Sequence, residues 1–216
     1  MLSVKDWSLA GSEVSNFIVK CSCAPLERFD IGEFIRLMLA RTEFLDSAGN
    51  LISETARIEA GAIVKNSWVM DDVNVHEGVS IRDSIIMSGA RVGHAGEIAR
   101  SIIGPRVSLP RFNYVGASIV GADVRFGGCV SLATRRYDDQ DVTLFSQGRR
   151  IPTGRVKFGS IIGEKTIIGY GVHINPGVSI GRRCIISPLL DIRVSIPDDK
   201  IVIGDQKIRL RDNPER

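Results

Sequence analysis

Five isoleucines recur at an interval of six residues, Ile162, Ile168, Ile174, Ile180 and Ile186. Each is followed by a small or turn-forming residue (Gly163, Gly169, Asn175, Gly181, Ser187). Each is preceded two positions earlier by a small or β-branched one, or by a cysteine (Ser160, Thr166, Val172, Val178, Cys184). A helix repeats every 3.6 residues and a half-buried strand every 2, so a strict period of six means a short strand, a corner, and the same again. Three such units close one triangular coil. The stacked isoleucines fill the centre, each contributing about 1.5–3 kcal/mol on full burial, and successive coils pair through their backbones about 4.8 Å apart. The pattern predicts an all-β chain wound as a left-handed parallel β-helix.

The repeat continues upstream with register slips, through Ile58 and Val64, then Val75, Ile81 and Met87 with Val73, Val79 and Ile85 two positions earlier, then Val92 and Ile98. It vanishes between Thr134 and Phe158, which reads as an inserted loop of the length that carries function in compact repeats. The expected organisation is an N-terminal helical cap over 1–50, a β-helix of about six coils over 51–190 with its inserted loop at 134–158, and a C-terminal tail over 191–216. In the first fifty residues Val14, Phe17, Ile18 and Cys21, and again Ile31, Phe34, Ile35, Met38 and Leu39, recur at helical spacing. Asp30 and Glu33 stand as a capping box, and Pro25 separates the two helices. Docked on the first coil, these helices would cover its exposed strand edges.

A hydrophobic content of 44% over 216 residues supports a full core, and a net charge of +3 with dispersed cations gives a nucleic-acid partner no basis. No apolar run approaches membrane-spanning length and the N-terminus lacks signal-peptide features, so a cytoplasmic protein without membrane association is expected. Cys21, Cys23, Cys129 and Cys184 do not form a disulfide framework and read as reduced thiols.

Arg135, Arg136, Arg149, Arg150, Arg155 and Lys157 place six cations in the inserted loop beside Asp138, Asp139 and Asp141. They form either a solvated face or a site for phosphates, which arginine grips bidentately. His76 and His94 are eighteen residues apart, one full coil of three hexapeptides, and would lie one above the other. His173 is isolated. Without a third ligand no metal is expected.

The segments SGARVGHAGEIARSIIGPRVSLPRFNYVGASIVGADVRFGGCVSLATRRYDDQDV and GRRIPTGRVKFGSIIG resemble the acetyltransferase half of the bifunctional glucosamine-1-phosphate acetyltransferase / N-acetylglucosamine-1-phosphate uridyltransferase family. FNYVGAS and GRRIPTGR carry the resemblance. It implies a stand-alone β-helix assembled as a homotrimer, with acetyl-CoA as co-substrate in a groove between neighbours and an amino-sugar phosphate, or a nucleotide sugar, beside it. Three family positions are changed. Arg111 stands at the catalytic histidine, Thr134 at the loop asparagine, and Ala117 replaces the motif aspartate. A guanidinium remains protonated up to about pH 12 and cannot act as general base, a loss of about 10²–10⁴-fold in rate. The resemblance places Arg82, Arg100, Arg111, Tyr114 and Thr134 at the sugar phosphate and Gly128, Lys157, Tyr170 and Pro188 along the CoA groove. Two functions follow: acetyl transfer to glucosamine 1-phosphate or a similar acceptor through a degraded site, or a non-catalytic trimeric partner for a separate sugar nucleotidyltransferase.

Overall fold

The isoleucines spaced by six point into a three-sided parallel solenoid, the left-handed hexapeptide β-helix. The structure, a computed structural model, describes residues 35, 39–40, 45–146 and 149–204, with the side chains of 146 and 149 excepted. Three sheets of two- and three-residue strands form the walls. Sheet A has seven strands from Leu51–Ile52 to Ser179–Ile180, sheet B eight from Arg57–Ile58 to Ile201–Val202, and sheet C seven from Ile63–Lys65 to Asp191–Ile192. That is seven complete coils and part of an eighth, against the six expected. The additional turn comes from residues assigned to the tail: Asp191–Ile192, the bridge of Ile196 to Ile180, and Ile201–Val202 continue the stack.

The upstream slips have one cause. Downstream, strands begin at Ile161, Ile167, His173, Ser179, Ile185 and Asp191, an even step of six. Upstream, sheet A strands begin at Leu51, Trp68, Ile85, Ile102 and Ile119, so each coil takes seventeen residues. The residue is lost at the corner from sheet C to sheet A. There Asn66, Asp83, Arg100 and Ala117 take positive φ, between 42° and 51°, and a buried serine follows each. Those serines form an internal ladder. Ser67, Ser84 and Ser101 each accept the N–H of the next serine at 3.1 Å, and Ser118 accepts that of Ser160 at 2.9 Å. Buried backbone donors are thereby satisfied without a sixth residue. The shorter coil makes Ile86 the inward residue, while Met87 lies in a second apolar cluster outside sheet A.

In that cluster the outward residues of sheet A, Leu51, Trp68, Ile85, Ile102, Ile119 and Ile161, are joined by Val142, Leu144, Ile151 and Phe158 of the inserted segment. The segment folds back as an antiparallel hairpin, Thr143–Ser146 with Arg149–Pro152, instead of projecting as a solvated loop. Phe145 N–H donates to Gly177 O at 3.2 Å, and the Ser195 hydroxyl donates to Phe145 O at 2.8 Å. A Cβ at Gly177 would meet Thr143 O at 2.2 Å, so only glycine allows this approach. Ile35 and Leu39 are helical and buried in the same outer cluster, not in the interior one. Both residues therefore pack on the flank of sheet A. The remaining positions of the expected helices lie outside the described residues. No helix among the described residues is long and apolar enough to cross a membrane.

Candidate functional site

The corner from sheet B to sheet C stacks the chemistry-bearing side chains. Register pairs Val75 with Val92, Val92 with Leu109, Ser108 with Arg125, Phe126 with Ile168 and Ile168 with Ile186. Two residues beyond Val75, Val92, Leu109, Phe126, Ile168 and Ile186, the residues Glu77, His94, Arg111, Gly128, Tyr170 and Pro188 form one column along the prism. The corner is tight. A Cβ on Gly127 would meet Tyr170 N at 2.5 Å, and one on Gly169 would meet Pro188 N at 2.5 Å. Glycine here leaves bare backbone beside the column, a surface an extended ligand can follow closely.

The seventeen-residue coil also redirects the histidines. His94 lies over Glu77, with Nδ1 at 3.4 Å from its carboxylate and its ring edge-on to Phe112 at 5.8 Å. His76 lies over Glu59 at 3.0 Å. The two imidazoles are therefore not stacked on one another, since an eighteen-residue separation overshoots the coil by one. His173 faces outward between Ser131 and Asp191 on sheet C. No group of three or more metal-ligating side chains occurs among the described residues.

Below Arg111, the Cys129 thiol and the Tyr170 hydroxyl are hydrogen-bonded at 3.3 Å, and this bond raises the phenol's pKa against the opposing pull of Arg111. Cys129 was not among the residues the sequence pointed to. Its signal, a cysteine seventeen residues beyond Phe112, becomes visible only once the coil length is known.

Sheet C carries the second group. Ala99 and Gly116 pair across adjacent strands, with Ala133 continuing the row, and together they make a floor of small residues on the outer face. Tyr114, three residues after Arg111, lies beside it. A Cβ on Gly116 would stand 2.6 Å from the Tyr114 hydroxyl and 2.5 Å from the Thr134 methyl, so both side chains press onto that glycine. Arg82 is ion-paired with Glu97, whereas Arg100 and Arg111 have no ion pair among the described residues. Lys157 bridges by its backbone to Arg135 at the far edge of sheet C, where the inserted segment departs. Within one chain it is thus separated by the width of sheet C from Gly128, Tyr170 and Pro188. The other cations of the segment are largely engaged: Arg135 by Asp139 at 2.7 Å, Arg136 by Asp138, and Arg150 over the Phe145 ring at 5.0 Å. The Arg136 guanidinium holds Asp138 down to a pKa of about 2.

Over residues 48–136 the chain matches the GMPPB C-terminal domain family. The curated relatives agree. The bifunctional protein GlmU of Methanococcus vannielii is 41% identical over 86 residues, 40% of this chain and 20% of that protein. The bifunctional sugar-1-phosphate nucleotidylyltransferase/acetyltransferase of Sulfurisphaera tokodaii is 39% identical over 88 residues, 41% of this chain and 22% of that protein. The chain therefore spans about a fifth of the length of the curated relatives it matches, and the resemblance read from its motifs holds. Among solved structures, it is similar to PerB from Caulobacter crescentus in complex with CoA and GDP-perosamine, at a TM-score of 0.34 and 21% identity, over 80% of this chain and 60% of that one. It is also similar to the acetyltransferase domain of PglB from Neisseria gonorrhoeae in complex with acetyl coenzyme A, at a TM-score of 0.29 and 18% identity, over 82% and 65%.

Proposed function

We propose that this β-helix is of the sugar acyltransferase kind, with acetyl-CoA laid along the glycine-lined corner past Gly128, Tyr170 and Pro188 and a phosphorylated amino sugar, or a nucleotide-linked one, on sheet C. The observation that supports this most is the small floor of Ala99, Gly116 and Ala133, overlaid by Tyr114 and Thr134 and adjoining Arg111. Tyr114, laid over the buried Gly116, offers a sugar ring a flat face to pack against, and Arg100 and Arg111 supply cations not already neutralised for its phosphate. A homotrimer would bring Lys157 of a neighbouring copy to the corner column that its own chain keeps it from.

Acetyl transfer to an amine needs a group that takes the amine proton as the thioester carbonyl is attacked and CoA leaves as a thiol. Arg111 cannot be that group. The same substitution favours a second reading, in which the trimer binds its ligands without turning them over and serves as partner to a separate sugar nucleotidyltransferase. Titration calorimetry with acetyl-CoA, followed by acetyl transfer to glucosamine 1-phosphate in the Arg111→His/Thr134→Asn variant, tests both. Absence of acetyl-CoA binding at millimolar ligand refutes the first reading. Binding without transfer in the parent, and transfer in the double variant, is expected if the two substitutions alone removed the chemistry.

A further inference from the structure

The first outward residue of each strand in sheet B forms a row that the corner column and the sheet C floor do not use. Register places Arg57 beside Asn74, Asn74 beside Arg91, Arg91 beside Ser108 and Ser108 beside Arg125. The following residue in each strand, Ile58, Val75, Val92, Leu109 and Phe126, packs in or against the interior core, so strand alternation turns the row outward. At about 4.8 Å per coil, the three arginines stand about 10 Å apart along a rigid line. All three are exposed.

Elsewhere on the solenoid five arginines are neutralised. Arg82, Arg106, Arg182, Arg183 and Arg193 face Glu97, Asp123, Asp198, Asp199 and Asp191. Arg57, Arg91 and Arg125 have neither an ion pair nor a side-chain hydrogen bond among the described residues. Of the acids bordering the row, Glu59 is engaged by His76 and by the Glu77 N–H, and Asp123 by Arg106, which leaves Asp72 without an ion pair. Beside the row run Gly93, Pro110 and Gly127, which put no long side chain in the way of a ligand.

An arginine is long enough to lean over the adjacent coil. Arg57 and Arg91 can close over Asn74, and Arg91 and Arg125 over Ser108, giving two equivalent seats of two guanidinium forks and one neutral donor. Paired forks with a neutral N–H or O–H match the three oxygens of a phosphoryl group, one donor group to each oxygen. We propose that the row is a phosphoryl-binding site with two seats, which takes a linear ligand carrying at least two phosphoryl groups. Free polyphosphate and the diphosphate of a nucleotide are the two sources of that chemistry. The proposal does not depend on the acyltransferase reading.

Calorimetric titration of the full chain with sodium tripolyphosphate, inorganic phosphate, pyrophosphate and ADP tests it. Tripolyphosphate is expected to bind at least tenfold more tightly than inorganic phosphate. Arg91→Gln, which belongs to both seats, should weaken it at least tenfold, and Arg57→Gln or Arg125→Gln less. Arg193→Gln makes the same charge change beside sheet C, away from the row, and should leave the affinity unaltered. Tighter binding of ADP than of pyrophosphate identifies a nucleotide ligand, and the reverse order a free polyphosphate. The proposal is overturned if tripolyphosphate gives no heat at millimolar concentration, if inorganic phosphate binds as well, or if Arg193→Gln weakens binding as much as Arg91→Gln.

Discussion

Replacing Gly116 by alanine puts one methyl group between the two side chains that define the sheet C site. The added Cβ would stand 2.5 Å from the Thr134 methyl, 2.6 Å from the Tyr114 hydroxyl and 2.9 Å from the ring carbon that bears it. Optimal carbon separations are about 3.5–4.0 Å, so each contact is too close by about an ångström. The backbone of Gly116 is not in the left-handed region, and alanine is therefore tolerated conformationally. What remains is overpacking, about 1–3 kcal/mol. At about 2–4 °C per kcal/mol for a chain of this size, Tm should fall by about 2–12 °C. Relief comes by swinging Tyr114 off the floor, so the affinity for glucosamine 1-phosphate should drop while that for acetyl-CoA, laid along the B–C corner, stays put. The assay is thermal unfolding of Gly116→Ala in the parent and in a Tyr114→Ala/Thr134→Ser background, where the colliding atoms are gone. A coupling of about 0.5–3 kcal/mol between the sites is expected. An equal loss of stability in both backgrounds would refute the steric account.

The serine ladder and the acid limb of stability can be tested in the same way. Ser101→Ala removes the acceptor of the buried Ser118 N–H, bonded at 3.1 Å, and should destabilise by about 1–3 kcal/mol in urea unfolding; a neutral result would mean that the ladder is not a source of stability. The hydrogen bond from Arg106 holds the carboxylate of Asp123 below its ordinary pKa of 3.8, so its contribution is fully present above that value and is lost as pH falls through the lower folded-state pKa. Calorimetric Tm should accordingly decline in acid, and the gap between the parent and Arg106→Gln should close there; a gap that stays constant down to the most acid pH would exclude this linkage.

The second half of the coil stack is legible residue by residue in the sequence because all three walls take six residues and the inward position never shifts. Ile162, Ile168, Ile174, Ile180 and Ile186 are all in the interior core. Upstream, a period of six assigned Met87 to the interior, whereas the five-residue corner makes it Ile86. Nothing about a serine after Asn66, Asp83, Arg100 or Ala117 announces a missing residue until its hydroxyl is seen holding the next coil. The inserted segment was obscured by composition. Its charges dominate the reading, while Val142, Leu144 and Ile151, the apolar residues that fix it to sheet A, are sparse enough to pass for loop residues. The motif keeps Arg111 and Tyr114 within three residues of each other, so their closeness can be read from the sequence, whereas the place of Lys157 depends on which corner releases the segment.

Coil length decides more than the count of turns. With eighteen residues per coil, Arg111 would lie over Gly93 and His94 over His76, and the corner would carry a histidine pair suited to a metal. With seventeen, Arg111 lies over His94, and each histidine is matched to a glutamate from the coil before it, Glu59 for His76 and Glu77 for His94. The same step brings Arg57, Arg91 and Arg125 into one line at every second coil, because thirty-four residues separate each from the next. A buried serine at one corner therefore sets which side chains meet at another. The chemistry of the exposed columns is a consequence of how the interior satisfies its N–H groups, and changes at the C–A corner should be felt at the B–C corner although the two share no contact.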